Sequence, residues 1–197
     1  MLQNFGHISA ILSIIMIIPY VRDIFRKVTQ PERASWLIWT VLGFIAFFSQ
    51  WAKGATDSLW LTAGQTIAVL VIFLLSIKYG VGGLTNRDIK ALVAAGLGLI
   101  LWWVTSEPLY ALLIVIGIDC IGSYLTMIKS YEEPESETLS TWVISGTSGI
   151  FGALAVGVLS PVLLAYPVYI VIANYTIVVA LFLGKKRLKY KLPQKLI

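Results

Sequence analysis

The sequence predicts an all-α membrane protein of seven transmembrane helices, built as two parallel three-helix bundles joined by an inversion-linker helix (3+1+3). Long apolar runs, a one-sided distribution of basic residues and an internal repeat carry that prediction. The chain is 58% hydrophobic and 13% charged, with mean hydropathy +0.85. Soluble domains carry about a quarter charged residues, so this chain lacks the material for a water-facing surface.

A helical span needs about 20 mostly apolar residues. Seven segments meet that need, at about 5–22, 34–52, 58–78, 89–106, 108–128, 139–159 and 162–184. Continuous runs of this length point to helices, because barrel strands are about ten residues long and alternate in polarity. No Lys or Arg precedes the first span, so a secretory signal peptide is not expected. Pro31 follows that span in a polar loop, and Gly80, Gly82 and Gly83 close the third. Pro108 and Pro161 open the fifth and seventh, and Pro134 marks an acidic loop between the fifth and sixth. In the sixth span, Gly146, Gly149, Gly152 and Gly157 allow close backbone approach. Tyr166, Pro167 and Tyr169 are expected to interrupt the outer half of the seventh, where Pro167 removes a backbone hydrogen bond. Cys120 is the only cysteine and reads as a small packing residue, so no disulfide framework exists within the chain.

With seven spans, alternate loops share a side. The N-terminus and the loops after spans two, four and six contain one basic residue, Lys53, whereas the opposite side holds the other fourteen. The positive-inside bias assigns the rich side to the cytoplasm, leaving the N-terminus outside and the C-terminus inside the cell membrane. The net charge of +5 is therefore accounted for by topology and not by a nucleic-acid surface. Trp36 falls at the inner interface, and Trp51, Trp60, Trp102 and Trp103 near the outer one, as an aromatic belt would. The basic tail from Lys185 onward suits anchoring on anionic lipid.

The repeat is visible at an offset of 103, which pairs Pro31 with Pro134, Glu32 with Glu135, Trp39 with Trp142 and Gly43 with Gly146. At an offset of 109, the block from Gln65 aligns with the block from Asn174. Spans one to three thus resemble spans five to seven, and the fourth must return the chain across the bilayer. The expected divisions are residues 1–84, a linker helix over 85–107, a second repeat over 108–184 and a tail over 185–197. Sites in parallel-repeat proteins lie near the midplane between the repeats.

This layout, its orientation and the Pro19-Tyr20 pair at the inner end of the first span resemble the SWEET and PQ-loop superfamily of small transporters. The family's Pro-Gln dipeptide reads Pro19-Tyr20 in the first unit and Ser123-Tyr124 in the second, and spans two and six contain no internal proline. Nicotinamide-riboside transporters share the same general layout. The resemblance implies transport of a small polar solute by alternating access, with mid-depth amides in contact with the cargo.

The residues offer candidates for that role. Asp119 is the only acidic residue deep in a span. It lies roughly 15 Å from the inner end at 1.5 Å per residue. An ionisable group at that depth costs at least about 2.5–3.5 kcal/mol, so it suits proton or cation coupling or, alternatively, a hydrogen-bonded structural carboxyl. Gln65 and Asn174 are equivalent in the repeat and can bind a polar solute or serve as interhelical glue. Trp39 and Trp142 can stack on a solute, although their position a turn inside each helix also suits interfacial anchoring. Tyr169 completes the candidate binding set. His7 lies at the outer edge of the first span. No metal site or cofactor is expected, and homo-oligomerisation is compatible with the sequence.

A transporter or facilitator for a sugar- or vitamin-like solute leads. The alternative is a non-transporting receptor or assembly protein that docks a partner through the loop from Glu132 to Glu137. An enzyme is not expected. Intramembrane aspartyl chemistry needs two carboxyls and only Asp119 is embedded, while His7 is peripheral.

Overall fold

The computed structural model describes residues 2–52, 59–83, 85–105, 108–156, 159 and 161–191. Regular structure among these residues is helical, apart from an isolated bridge between Glu32 and Val81. The elements are α1 (Leu2–Ile15), α2 (Ile17–Phe25), α3 (Arg33–Ala52), α4 (Leu59–Tyr79), α5 (Asn86–Val104), α6 (Pro108–Glu132), α7 (Leu139–Val156) and α8 (Pro161–Lys191), with a short 3-10 turn at Pro134–Ser136.

Taking α1 and α2 as one broken helix gives seven. Four segments are long and apolar enough to cross a membrane: Asn4–Phe25, Leu113–Glu132, Leu139–Val156 and Leu164–Tyr190. Arg33–Phe47 and Gln65–Tyr79 are shorter apolar stretches. The break at Met16 has two local causes. Pro19 lacks the N–H that would bond the Ile15 carbonyl. The Met16 carbonyl in turn accepts a hydrogen bond from Thr141 Oγ1 at 3.0 Å, and a side chain inserted into the ladder breaks a helix.

The polarity of the molecule is inverted relative to a soluble protein. Its outside carries Ile11, Ile18, Ile67, Leu74, Leu97, Ile172 and Val179, all exposed. Its inside holds Ser35, Thr66, Ser76, Asp119, Thr126, Thr141, Ser148 and Asn174, all buried. An apolar surface of this extent is unsuited to water, and small polar residues between helices are the usual packing material in lipid.

Six helices close a ring. α1 lies along α7, α7 along α8, α8 along α6, α6 along α3, α3 along α4, and α4 returns to α1 and α2. α5 stays outside, packed on α6 and the edge of α3 through Ala91, Ala95 and Gly98. It starts cleanly because Thr85 and Asp88 form a capping box.

The loops after α2, α4 and α6 and the end of α8 meet at one end of the ring. Arg33 donates to the Gly82 carbonyl at 2.9 Å, Arg87 meets Glu132 at 3.4 Å, and Arg187 donates to the Glu132 carbonyl at 2.7 Å. The buried Lys129 ammonium bonds the Gln30 carbonyl, the Ser136 carbonyl at 2.6 Å and Glu137 at 2.7 Å.

Three sequence expectations change. The basic segment from Lys185 is not a separate tail, since α8 continues to Lys191; residues 192–197 lie outside the described set. Gly184 allows this, because a Cβ there would sit 2.6 Å from the Tyr131 carbonyl. Pro167 does not interrupt its helix, which runs through it. Cys120 is exposed and unpaired, so it does not serve as core packing.

Candidate functional site

The ring encloses a cavity of about 760 Å³. Every helix except α5 contributes, α2 through Ile17 alone, and Met16 adds a side chain at the α1–α2 break. The α1 wall is polar: Ser9 Oγ donates to the Ser148 carbonyl at 2.9 Å, and Ser13 Oγ meets Ser148 Oγ at 2.7 Å. These serines are four apart and so share a helix face.

Opposite them, α3 and α6 place the acid. Asp119 is 8% exposed and opens onto the cavity. Its Oδ1 accepts a hydrogen bond from the Trp39 indole N–H at 2.7 Å. The Ser123 and Tyr169 hydroxyls also face this carboxylate, and they lie 3.1 Å from each other. Ser123 follows Asp119 by four residues, which puts both on one face of α6. Tyr166 stands beside Tyr169, with ring centroids 6.2 Å apart. No ion pair involves Asp119 among the described residues. The described lining contains no Lys, Arg or His.

The six sequence-predicted site residues, Gln65, Asn174, Trp39, Trp142, Tyr169 and Asp119, all line this one cavity. Asn174 is buried and its amide donates to the Ile170 carbonyl at 2.8 Å; Gln65 is half-buried. Trp39 and Trp142 are not interfacial anchors, and neither is Trp36. Their rings pack together with centroids 5.0 Å apart for Trp36–Trp39, 6.0 Å for Trp39–Trp142 and 6.4 Å for Trp36–Trp142. Tyr20 joins them 5.0 Å from Trp36 and accepts its indole N–H at 3.3 Å.

This aromatic layer forms a floor. Trp36 and Tyr20 are fully buried, and Trp142 nearly so. Below it lie the charged groups of the basic-loop end: the Trp142 indole donates to Glu137 at 3.2 Å, and Glu137 pairs with Lys129. The cavity is therefore packed shut toward the basic loops. Close contact between α7 and α8 completes the wall. A Cβ at Gly146 would lie 2.8 Å from the Tyr175 ring, and one at Gly149 would lie 3.0 Å from the Pro167 carbonyl.

Several members were not singled out from the sequence. Trp36 precedes Trp39 by three residues, a helix-face spacing that would have found it. Tyr20 entered the sequence reading only through the Pro19-Tyr20 pair, and its place in the floor, like the Lys129–Glu137 pair, carries no local signal, because the partners come from other helices or across a loop. His7 is exposed and does not line the cavity, and Gly157 lies outside the described residues. No group of three or more His, Cys, Asp or Glu residues with metal-site geometry occurs among the described residues.

No family model matches the chain, and neither does a curated protein or a solved structure.

Proposed function

We propose that the protein is a cell-membrane transporter or facilitator for a small polar solute, working by alternating access, with its N-terminus outside and the basic loops in the cytoplasm. The observation that carries this reading is the cavity itself. It sets serine, threonine, amide and carboxylate side chains among mostly apolar walls, it sits inside a ring with an apolar exterior, and packed aromatics close it toward the basic-loop end. An ionisable side chain such as Asp119 facing a cavity within lipid costs free energy unless a solute or water uses it.

The six ring helices are best understood as two like-oriented triplets, α1 to α4 and α6 to α8, with α5 as the linker. The ring order supports this: exchanging the triplets turns the α1–α7 contact into the α6–α3 contact. Two cross-helix hydrogen bonds follow the same exchange. Ser35 Oγ lies 2.7 Å from the Gly122 carbonyl oxygen, and Thr141 Oγ1 lies 3.0 Å from that of Met16. Both residue pairs differ by 106, three more than the sequence alignment suggests. Three residues are close to one helical turn, so the apolar pattern fits either register. At 106, Asp119 is matched by Ser13 and Trp142 by Trp36. On the third helices, the buried Thr66, Ile72 and Ser76 match Asn174, Ala180 and Gly184 at an offset of 108, which pairs Asn174 with Thr66 and not Gln65. On this reading the chain is SWEET-like.

A receptor or assembly role has less support, because Glu132 of the acidic loop already engages Arg87 and Arg187 within the chain. Uptake by reconstituted vesicles across a panel of labelled metabolites tests the transport reading. Accumulation above protein-free vesicles is expected, and a complete absence of it would remove the proposal.

A further inference from the structure

The charge balance of the cavity identifies the class of cargo, given the transport reading above. Among the described lining residues Asp119 is the one charged group, and its contacts are neutral donors: the Trp39 indole, Ser123 and Tyr169. A buried carboxylate without a cation is costly, and a positively charged ligand removes that cost. The walls beside it are indole rings. Trp39 donates its N–H to Asp119, the Trp142 ring centroid lies 6.0 Å from that of Trp39, and a cation placed over such faces is attracted by the ring quadrupole.

A bare metal ion fits less well. Divalent cations require several oxygen ligands, of which carboxylates are the strongest, and the described lining supplies one. A chamber of about 760 Å³ also exceeds what an ion needs and falls within the range of small-molecule sites. Serine hydroxyls on the α1 wall stand ready for polar groups on the far side of the cargo.

We infer that the solute is an organic monocation bearing hydroxyl or similar polar groups, its charge held between Asp119 and the indole faces of Trp39 and Trp142. Neutral sugars lack the charge that this site is built to complement, and anions are repelled by it.

The experiment compares choline with its uncharged carbon isostere, 3,3-dimethylbutan-1-ol, using the purified full-length protein. Thermal shift in detergent reads binding, and labelled uptake into proteoliposomes reads transport. Sodium chloride and glucose serve as further probes. Choline is expected to stabilise and to be taken up, with at least about tenfold preference over the isostere, as a charge interaction of about 1.4 kcal/mol would give. That preference should vanish in Asp119→Asn and persist in Asp119→Glu. Trp39→Phe, which keeps a ring but loses the indole N–H, should weaken choline binding and gives an independent test if Asp119→Asn misfolds. Glucose or the isostere matching choline in wild type, or a choline preference unchanged in Asp119→Asn, would overturn the cation assignment and leave transport standing. Stabilisation by sodium alone would overturn the organic class. No uptake of any probe, charged or neutral, would count against both proposals.

Discussion

Two seams join the halves of the ring, and they differ in charge. Along the α1–α7 seam the contacts are neutral: Ser9 and Ser13 meet Ser148, and Thr141 meets the Met16 carbonyl. Along the α3–α6 seam the corresponding positions include Asp119 bonded to Trp39, and the Ser35 hydroxyl lies 2.7 Å from both Glu32 and Gly122 and 2.9 Å from Thr126. The seam ends differ likewise. Lys129 closes the second by bonding the Gln30 carbonyl while its buried ion pair reaches Glu137 just before α7, whereas Asp23 closes the first by accepting from Thr138 at 3.2 Å. Similar packing thus carries two chemistries. The first seam is built on hydroxyl contacts with one carboxylate at its rim, and the second holds the buried Asp119 that faces the cavity.

The largest expected effect comes from the seam ends. Removing Lys129 leaves Glu137 buried without its cation, so Lys129→Ala should cost about 3–5 kcal/mol in detergent unfolding. Asp23→Ala removes one hydroxyl hydrogen bond and an exposed ion pair to Arg22, and should cost only about 1 kcal/mol. Pairing Lys129→Met with Glu137→Leu should recover most of the loss. Equal costs for Lys129 and Asp23 would erase the distinction between the seams.

Hydroxyl deletions sharpen the comparison at smaller scale. Thr141→Val loses one bond and should cost about 1 kcal/mol, while Ser35→Ala disturbs three partners and should cost about 1–3 kcal/mol. Chemical denaturation of both variants in the same detergent checks the order.

The smallest effect concerns pH. Glu32 caps α3 through Oε2, which accepts from the Ser35 N–H at 2.6 Å, and it is buried. Burial pushes its carboxyl above the ordinary range, and the nearby Asp88 adds to this against the lowering by Ser35. A folded state that holds this proton more tightly than the unfolded chain is favoured at low pH. Stability from Glu32 is full below the unfolded value and is lost as pH rises through the raised folded value. Glu32→Gln should flatten that decline in a melting series, and an unchanged pH slope would assign the dependence elsewhere.

Much of the fold was legible because membrane helices announce themselves by run length. The apolar segments and their boundaries agree with the helices within a few residues, except where α6 extends to Glu132 and α8 to Lys191. Those extensions carry Lys129 and Arg187, whose polarity hid the helix while their partners across the loops stabilise it. The polar residues of the cavity were legible for a related reason: Asp119, Gln65 and Asn174 stand out against an apolar background. Under the proposed exchange of triplets the register was not legible, because a shift of three residues preserves the hydrophobic face. Nor was the role of the tryptophans. Position near a helix end fits both an interfacial anchor and a floor, and only the neighbouring Tyr20 and the ring-to-ring distances separate the two.

The proposed function requires a solute chamber that is reachable from outside and sealed toward the cytoplasm. Cysteine labelling tests it most directly, in a Cys120→Ala background in intact cells. A membrane-impermeant thiol reagent should modify Ser145→Cys, which lines the cavity, from outside, and should modify Arg26→Cys only after permeabilisation. Protection of Ser145→Cys under both conditions, or labelling of Arg26→Cys in intact cells, would contradict the account.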